Sequence, residues 1–185
     1  TILDLEQFAA ITGALVLIGA WEWAAFASLG SKSRLAFVGT LALSIAPLWF
    51  ALGVGGATGY DASFALGFSL LGALFWALMF AAIASFPRST EAWNDKSRIS
   101  AMGMLSLLCT WVGLVSLKAL LPNGALVIML IIMVAAVDVG AFFTGKLFGK
   151  RKLAPALSPN KTWEGVWGGV TLNVAVSIVF AILLN

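Results

Sequence analysis

Histidine is absent from this 185-residue chain, cysteine occurs once and charged residues make up only 10%. Each scarcity removes a class of protein. Without histidine there is no imidazole acid, base or metal ligand, so any catalytic metal must be held by oxygen, as hard ions are. The single thiol, Cys109, excludes an internal disulfide. It lies in an apolar run and reads as a small buried hydrophobe. A soluble domain carries roughly 25% charged residues, far more than this chain has. No glycine-rich Walker loop occurs, which excludes a P-loop enzyme. The net charge of +3 is no nucleic-acid signal by itself, and no nucleic-acid partner is expected. No repeat of fixed period is present.

What the chain has in excess is apolar surface: 61% of its residues, with mean hydropathy +1.02. A bilayer core takes about 20 apolar residues per helix. Six runs qualify, at roughly 7–28, 35–56, 63–85, 101–121, 124–144 and 163–184. They predict an all-α, polytopic integral membrane protein with one transmembrane domain over 1–185. The first run follows "DLE", a suitable helix start, and Pro47 should kink the second. Turn signals separate the runs: "SLGSKSR", "GGATGYD", "FPRSTEAWNDKSR", "LPNG" and the long stretch 145–162.

The positions of the cations give an orientation. Lys32 and Arg34 lie between the first two runs, and Arg88, Lys96 and Arg98 between the third and fourth. Lys146, Lys150, Arg151, Lys152 and Lys161 lie between the fifth and sixth. These alternate loops face one side, and the other side has only Lys118. Ten against one predicts that the basic loops are cytoplasmic and that Thr1 lies outside. A chain that starts outside, and without methionine, predicts an earlier span upstream.

Three features could carry chemistry. Asp138 sits in "VAAVDVGAFF", apolar on both sides. A carboxylate inside a span costs a few kcal/mol and usually faces the protein interior or a water-filled cavity. Asp138 is either the floor of such a cavity or a partner, to Lys146 for example, that pins two helices. Gly140 and Gly145 beside it allow a close approach. Glu22, in "AWEWAAF", is an interfacial anchor, a cap or a functional acid; Trp21 and Trp23 suit the membrane interface. The third feature is "GKLFGKRKLAPALSPNKTWEG", residues 145–165. Its cations attract anions, and lipid head groups would satisfy them. An electrostatic patch, however, has no need of "SPNKTWEG". Pro159 stiffens the approach to the last span, Thr162 can cap it, and Glu164 suits its first turn. The span should then begin with free N–H groups beside Ser158, Lys161 and Thr162, a ready phosphate site. A carboxylate on one side and a cationic helix start on the other suit phosphoryl or nucleotidyl transfer.

Residues 138–165, "DVGAFFTGKLFGKRKLAPALSPNKTWEG", closely resemble the core of the phosphatidate cytidylyltransferase (CDP-diacylglycerol synthase) family. That family carries a D-x-G-A-aromatic run, a basic G-K-rich stretch and an S-P-x-K-T-W-(E/Q)-G box in this order. "AWEW" near the start also resembles it. The resemblance implies a Mg²⁺-dependent membrane enzyme that joins CTP and phosphatidic acid into CDP-diacylglycerol and releases pyrophosphate. It implies Asp138 and Lys161 as catalytic residues, with Asp138 near the metal. Lys146, Lys150, Lys152, Ser158, Thr162 and Glu164 would bind the substrates, their contacts undivided between CTP and phosphatidate. The expected setting is a bacterial inner membrane, with membrane lipid as a partner and a homodimer as one compatible assembly. The family's C-terminal signature, ending P-G-H-G-G-x-x-D-R-x-D, does not occur here. The chain is therefore expected to be an N-terminal and central portion whose site is incomplete alone.

Other readings use the same features differently. A CTP-dependent membrane lipid kinase would also want cations and Mg²⁺. An anionic-solute transporter would use Asp138 and the loop as a gate, and would favour inverted repeats, which are not clear here. A scaffold subunit would only bind anionic lipid.

Overall fold

The computed structural model describes residues 3–56, 59–86 and 95–184. Thr1 and Arg88, both used above to read the topology, lie outside the described residues. The described residues form six helices: α1 Leu5–Phe26, α2 Ser31–Ala51, α3 Ala62–Ala84, α4 Lys96–Leu120, α5 Ala125–Phe148 and α6 Trp163–Leu183. Two short strands, β1 Lys152–Ala154 and β2 Ser158–Thr162, lie between α5 and α6. All six helices are long and apolar enough to cross a membrane, as expected of an all-α polytopic membrane protein. The helices group into two compact units, 1–124 and 125–185.

In the first unit the helix starts are set by side-chain caps. The Asp4 carboxylate accepts from the Gln7 N–H at 2.8 Å, and the Gln7 side chain accepts from the Asp4 N–H, a capping box. Asp61 caps α3 through the Phe64 N–H at 2.9 Å. Asp95 caps α4 through the Ser97 N–H at 2.7 Å. Pro47, the expected kink, lies inside α2, which is helical from Ser31 to Ala51.

α1 and α4 are antiparallel, and indoles tie them together. Trp111 is fully buried; its Nε1–H donates to the Ala9 carbonyl at 3.0 Å and its ring stacks on Trp49. Trp23 lies against Gly103 and donates to the Ile99 carbonyl at 2.8 Å. Trp23 is therefore a packing residue as well as an aromatic at the end of a span. Alanines at 9, 20 and 24, all buried, let the backbones approach. At one end of this unit, Lys96 Nζ donates to the Ser28 carbonyl at 3.0 Å. That contact brings the α1–α2 turn and the start of α4 together, as alternate loops require. At the other end Lys118 is buried, donates to the Pro122 carbonyl at 2.7 Å and lies over the Phe8 ring.

The second unit is the antiparallel pair α5 and α6 with the hairpin that joins them. α5 continues four residues past the expected end at 144, so Lys146 is helical rather than part of a loop. Apolarity marks where hydrocarbon ends, not where helical hydrogen bonding ends. A 24-residue helix is about 36 Å long, so its last turn clears a core of about 30 Å. β1 and β2 pair antiparallel, with Lys152 opposite Thr162 and Ala154 opposite Ser158. Pro155 sits in the turn between them, where its fixed φ is favourable. Stretch 145–162, read from sequence as a loop, is thus a helix end followed by a hairpin.

Candidate functional site

The site begins with how closely α5 and α6 cross. A Cβ on Gly140 would stand 2.6 Å from the Gly168 carbonyl oxygen, and one on Gly165 would stand 2.9 Å from that of Ala141. Only hydrogen fits at these two crossings. The contact runs along α5 through Val137, Gly140, Ala141, Thr144 and Gly145. It leaves the end of α5, the start of α6 and the hairpin at one place.

That junction is stitched by hydrogen bonds, of which the sequence suggested the Thr162 cap but not the others. Thr162 is buried; its hydroxyl oxygen accepts from the Gly165 N–H at 3.2 Å, the expected N-cap of α6. The Trp163 N–H donates to the Arg151 carbonyl at 2.9 Å. The Glu164 carboxylate accepts from the N–H groups of Lys150 at 3.1 Å and Arg151 at 3.2 Å. The Gly149 N–H donates to the Gly145 carbonyl at 3.1 Å and ends α5. The backbone of Lys150 and Arg151 is therefore bound to the first turn of α6.

This corrects one expectation. α6 does not begin with free N–H groups: Trp163 and Gly165 are already partnered, and Glu164 places its own carboxylate at the positive end of the helix. Such a carboxylate satisfies the helix dipole and occupies the position an incoming phosphate would want. An anion here must be held by side chains. Lys146, Lys150, Lys152 and Lys161 are all exposed and could hold one. Arg151, which the sequence reading had not assigned to the site, lies with its guanidinium 6.0 Å from the Trp163 ring centroid. Along β2, whose pairing with β1 is irregular, Ser158 is half-buried and Thr162 buried, whereas Lys161 is exposed.

Asp138 stands apart. Its side chain is exposed, it is off the α6-facing row, and among the described residues it has no hydrogen-bond or ion-pair partner. It lies seven residues, or about 10 Å along the helix, from Gly145, which is level with Thr162. The structure therefore does not bring Asp138 and Lys161, the two residues expected to be catalytic, together. The reading in which Asp138 pins helices through Lys146 is not realised either. Lys146 Nζ lies 5.7 Å from the Phe142 ring centroid, and the only ion pair among the described residues is Asp95–Arg98.

The residues present do not by themselves fit a magnesium ion. Magnesium takes six oxygen ligands, commonly one or two carboxylates with water and substrate phosphates making up the rest. Among the described residues no three carboxylates or thiols gather, and in this unit Asp138 alone is uncommitted. The unit's surplus is cationic: five Lys and Arg against Asp138 and Glu164. The arrangement can neutralise an oxyanion at a membrane surface, from a support held by backbone hydrogen bonds.

Comparison with known proteins agrees with the motif. The sequence matches the cytidylyltransferase family over residues 2–185. It is 38% identical over 170 residues to a phosphatidate cytidylyltransferase of Pseudomonas aeruginosa, covering 91% of this chain and 59% of the relative. It is 34% identical over 182 residues to that of Haemophilus influenzae, covering 94% and 63%. A 52-residue stretch is 42% identical to the Bacillus subtilis phosphatidate cytidylyltransferase. The chain thus spans about three-fifths of the length of the first two relatives. Among solved structures there is no significant match. With the family model matching residues 2–185 and residues 145–165 of the ordered pattern folded into one braced junction, the chain belongs to the cytidylyltransferase family.

Proposed function

We propose that this chain supplies part of an enzyme that transfers the cytidylyl group of CTP to phosphatidic acid. A phosphate oxygen of phosphatidate bonds to the α-phosphorus of CTP, the α–β anhydride bond breaks, and pyrophosphate leaves. CDP-diacylglycerol remains in the membrane. The observation that carries the reading is the braced cationic junction at 145–165, inside a family match that runs the length of the chain. Both substrates and the leaving group are phosphates, and charge stabilisation by preorganised groups is the main demand of such transfers.

In this reading Lys146, Lys150, Lys152 and Lys161 neutralise phosphate oxygens, and Ser158 offers a hydroxyl at the hairpin. Thr162 and Glu164 serve by holding the support rather than by touching substrate. Asp138 is proposed as this chain's one oxygen ligand toward Mg²⁺, and no step is derived through that ion. The protein is an integral membrane protein. The charge split favours a bacterial inner membrane with the basic junction in the cytoplasm.

Membranes containing the protein, given phosphatidic acid and CTP labelled in the cytidine or, in parallel, in the γ-phosphate, test the reading. Cytidine label in the lipid fraction, with pyrophosphate released in equal amount, is expected. Label transferred from the γ-phosphate without cytidine would mean a lipid kinase and would overturn it.

A further inference from the structure

The first unit contains an apolar cleft of about 260 Å³, lined by none of the residues of the basic junction. Three helix faces form it. α1 contributes Trp23 and Phe26, α3 contributes Trp76 and Met79, and α4 contributes Met102 and Ser106. Ile99 completes the α4 wall and Ile83 the α3 wall. The wall at Trp23 is built rather than incidental: its indole is fixed by the bond to the Ile99 carbonyl and lies against Gly103. The methionines are unbranched and adapt to a flexible occupant.

The rim carries charge. Lys96 opens α4 one turn before Ile99, and its Nζ is anchored to the Ser28 carbonyl, two residues beyond Phe26. An ammonium has three donors, so this anchor leaves two to meet an anion. Arg98 adds a second cation beside it, and Asp95 offsets one of the two. From Lys96 to Ser106 is ten residues, about 15 Å of helix, or one leaflet of a hydrocarbon core of about 30 Å. A cavity of about 150 Å³ already accepts benzene, so this apolar cleft has room for a segment of an acyl chain.

We propose that the cleft holds a segment of one acyl chain of an anionic bilayer phospholipid, with the lipid's phosphate at Lys96. The occupant is a resident lipid, distinct from the reacting phosphatidate. Phosphatidylglycerol is the probe because its phosphodiester offers no terminal phosphate to a cytidylyl group, so the result is independent of the proposed activity.

The delipidated protein in detergent is titrated with phosphatidylglycerol and with phosphatidylcholine of the same chains, and retained lipid is counted by native mass spectrometry. One phosphatidylglycerol should be retained, in preference to phosphatidylcholine by roughly fivefold, the ratio given by about 1 kcal/mol for a basic residue at the surface. Lys96→Gln should abolish the preference while keeping retention of both lipids. Ser106→Trp should fill the cleft and abolish retention. Because that variant could misfold, brominated-chain phosphatidylglycerol provides a second readout on near-native proteins. It should quench tryptophan fluorescence in the unsubstituted protein, and Trp76→Phe should remove part of the quenched component. Equal retention of the two lipids overturns the proposal. So does retention unchanged in a folded Ser106→Trp protein, quenching unchanged in Trp76→Phe, or no lipid retained at all.

Discussion

The Glu164 carboxylate lies where the amides of Lys150 and Arg151 converge. Glu164→Ala should release the amides of residues 150 and 151 from the first turn of α6, and their hydrogen exchange should quicken. Glu164→Gln keeps an acceptor oxygen and should restore most of the protection. A residue that only touched substrate would leave those amides unchanged without substrate. Thr162 acts on the same junction from the other side. Thr162→Ala removes the N-cap and should lower stability by about 1 kcal/mol, whereas Thr162→Ser should be nearly neutral. Apparent Tm in detergent checks both. The cap was legible, because a threonine before an apolar run is a local signal. The brace was not: its donors are backbone groups 13 and 14 residues upstream, and no side-chain pattern marks them.

At the scale of elements, the crossing of α5 and α6 depends on small residues meeting backbone. Gly140→Ala would push a methyl group into the Gly168 carbonyl, and the helices would have to separate. A cost of about 1–3 kcal/mol is expected, as for other overpacked sites. Gly67→Ala, in α3 with nothing within 4 Å, should be neutral or slightly stabilising through helix propensity. Comparable losses of apparent Tm in the two variants would contradict the close crossing. The six spans were legible because about 20 apolar residues in a row have few alternatives. Their ends were less so: α4 starts at Lys96 rather than 101, under the Asp95 cap, where polar residues hide a first turn from any reading by apolarity. The hairpin was missed because strands of three and five residues are too short to show a period of two. Asp138 was singled out by its charge, but charge does not reveal which face of a helix it occupies.

For the whole molecule, the net charge of +3 lies entirely in residues 125–185, since the first 124 residues carry equal numbers of acids and bases. That asymmetry and the ten-to-one split of cations predict one orientation in the membrane. Single cysteines at 60 and at 152, in a Cys109→Ser background, should react with an impermeant thiol reagent from opposite sides. Reaction from the same side would contradict the six-span topology.

The central claim is that residues 145–164 are a specific phosphate site and not merely a basic surface. Lys161→Ala and Lys32→Ala change net charge identically, but only Lys161 belongs to the braced junction. The decisive measurement is kcat/KM for CTP in the two variants, at matched expression, in the active enzyme. Loss of a well-placed charge-assisted contact costs about 2–4 kcal/mol, so Lys161→Ala should slow transfer roughly 30- to 1,000-fold while Lys32→Ala changes it little. Equal and small effects from both would contradict the account.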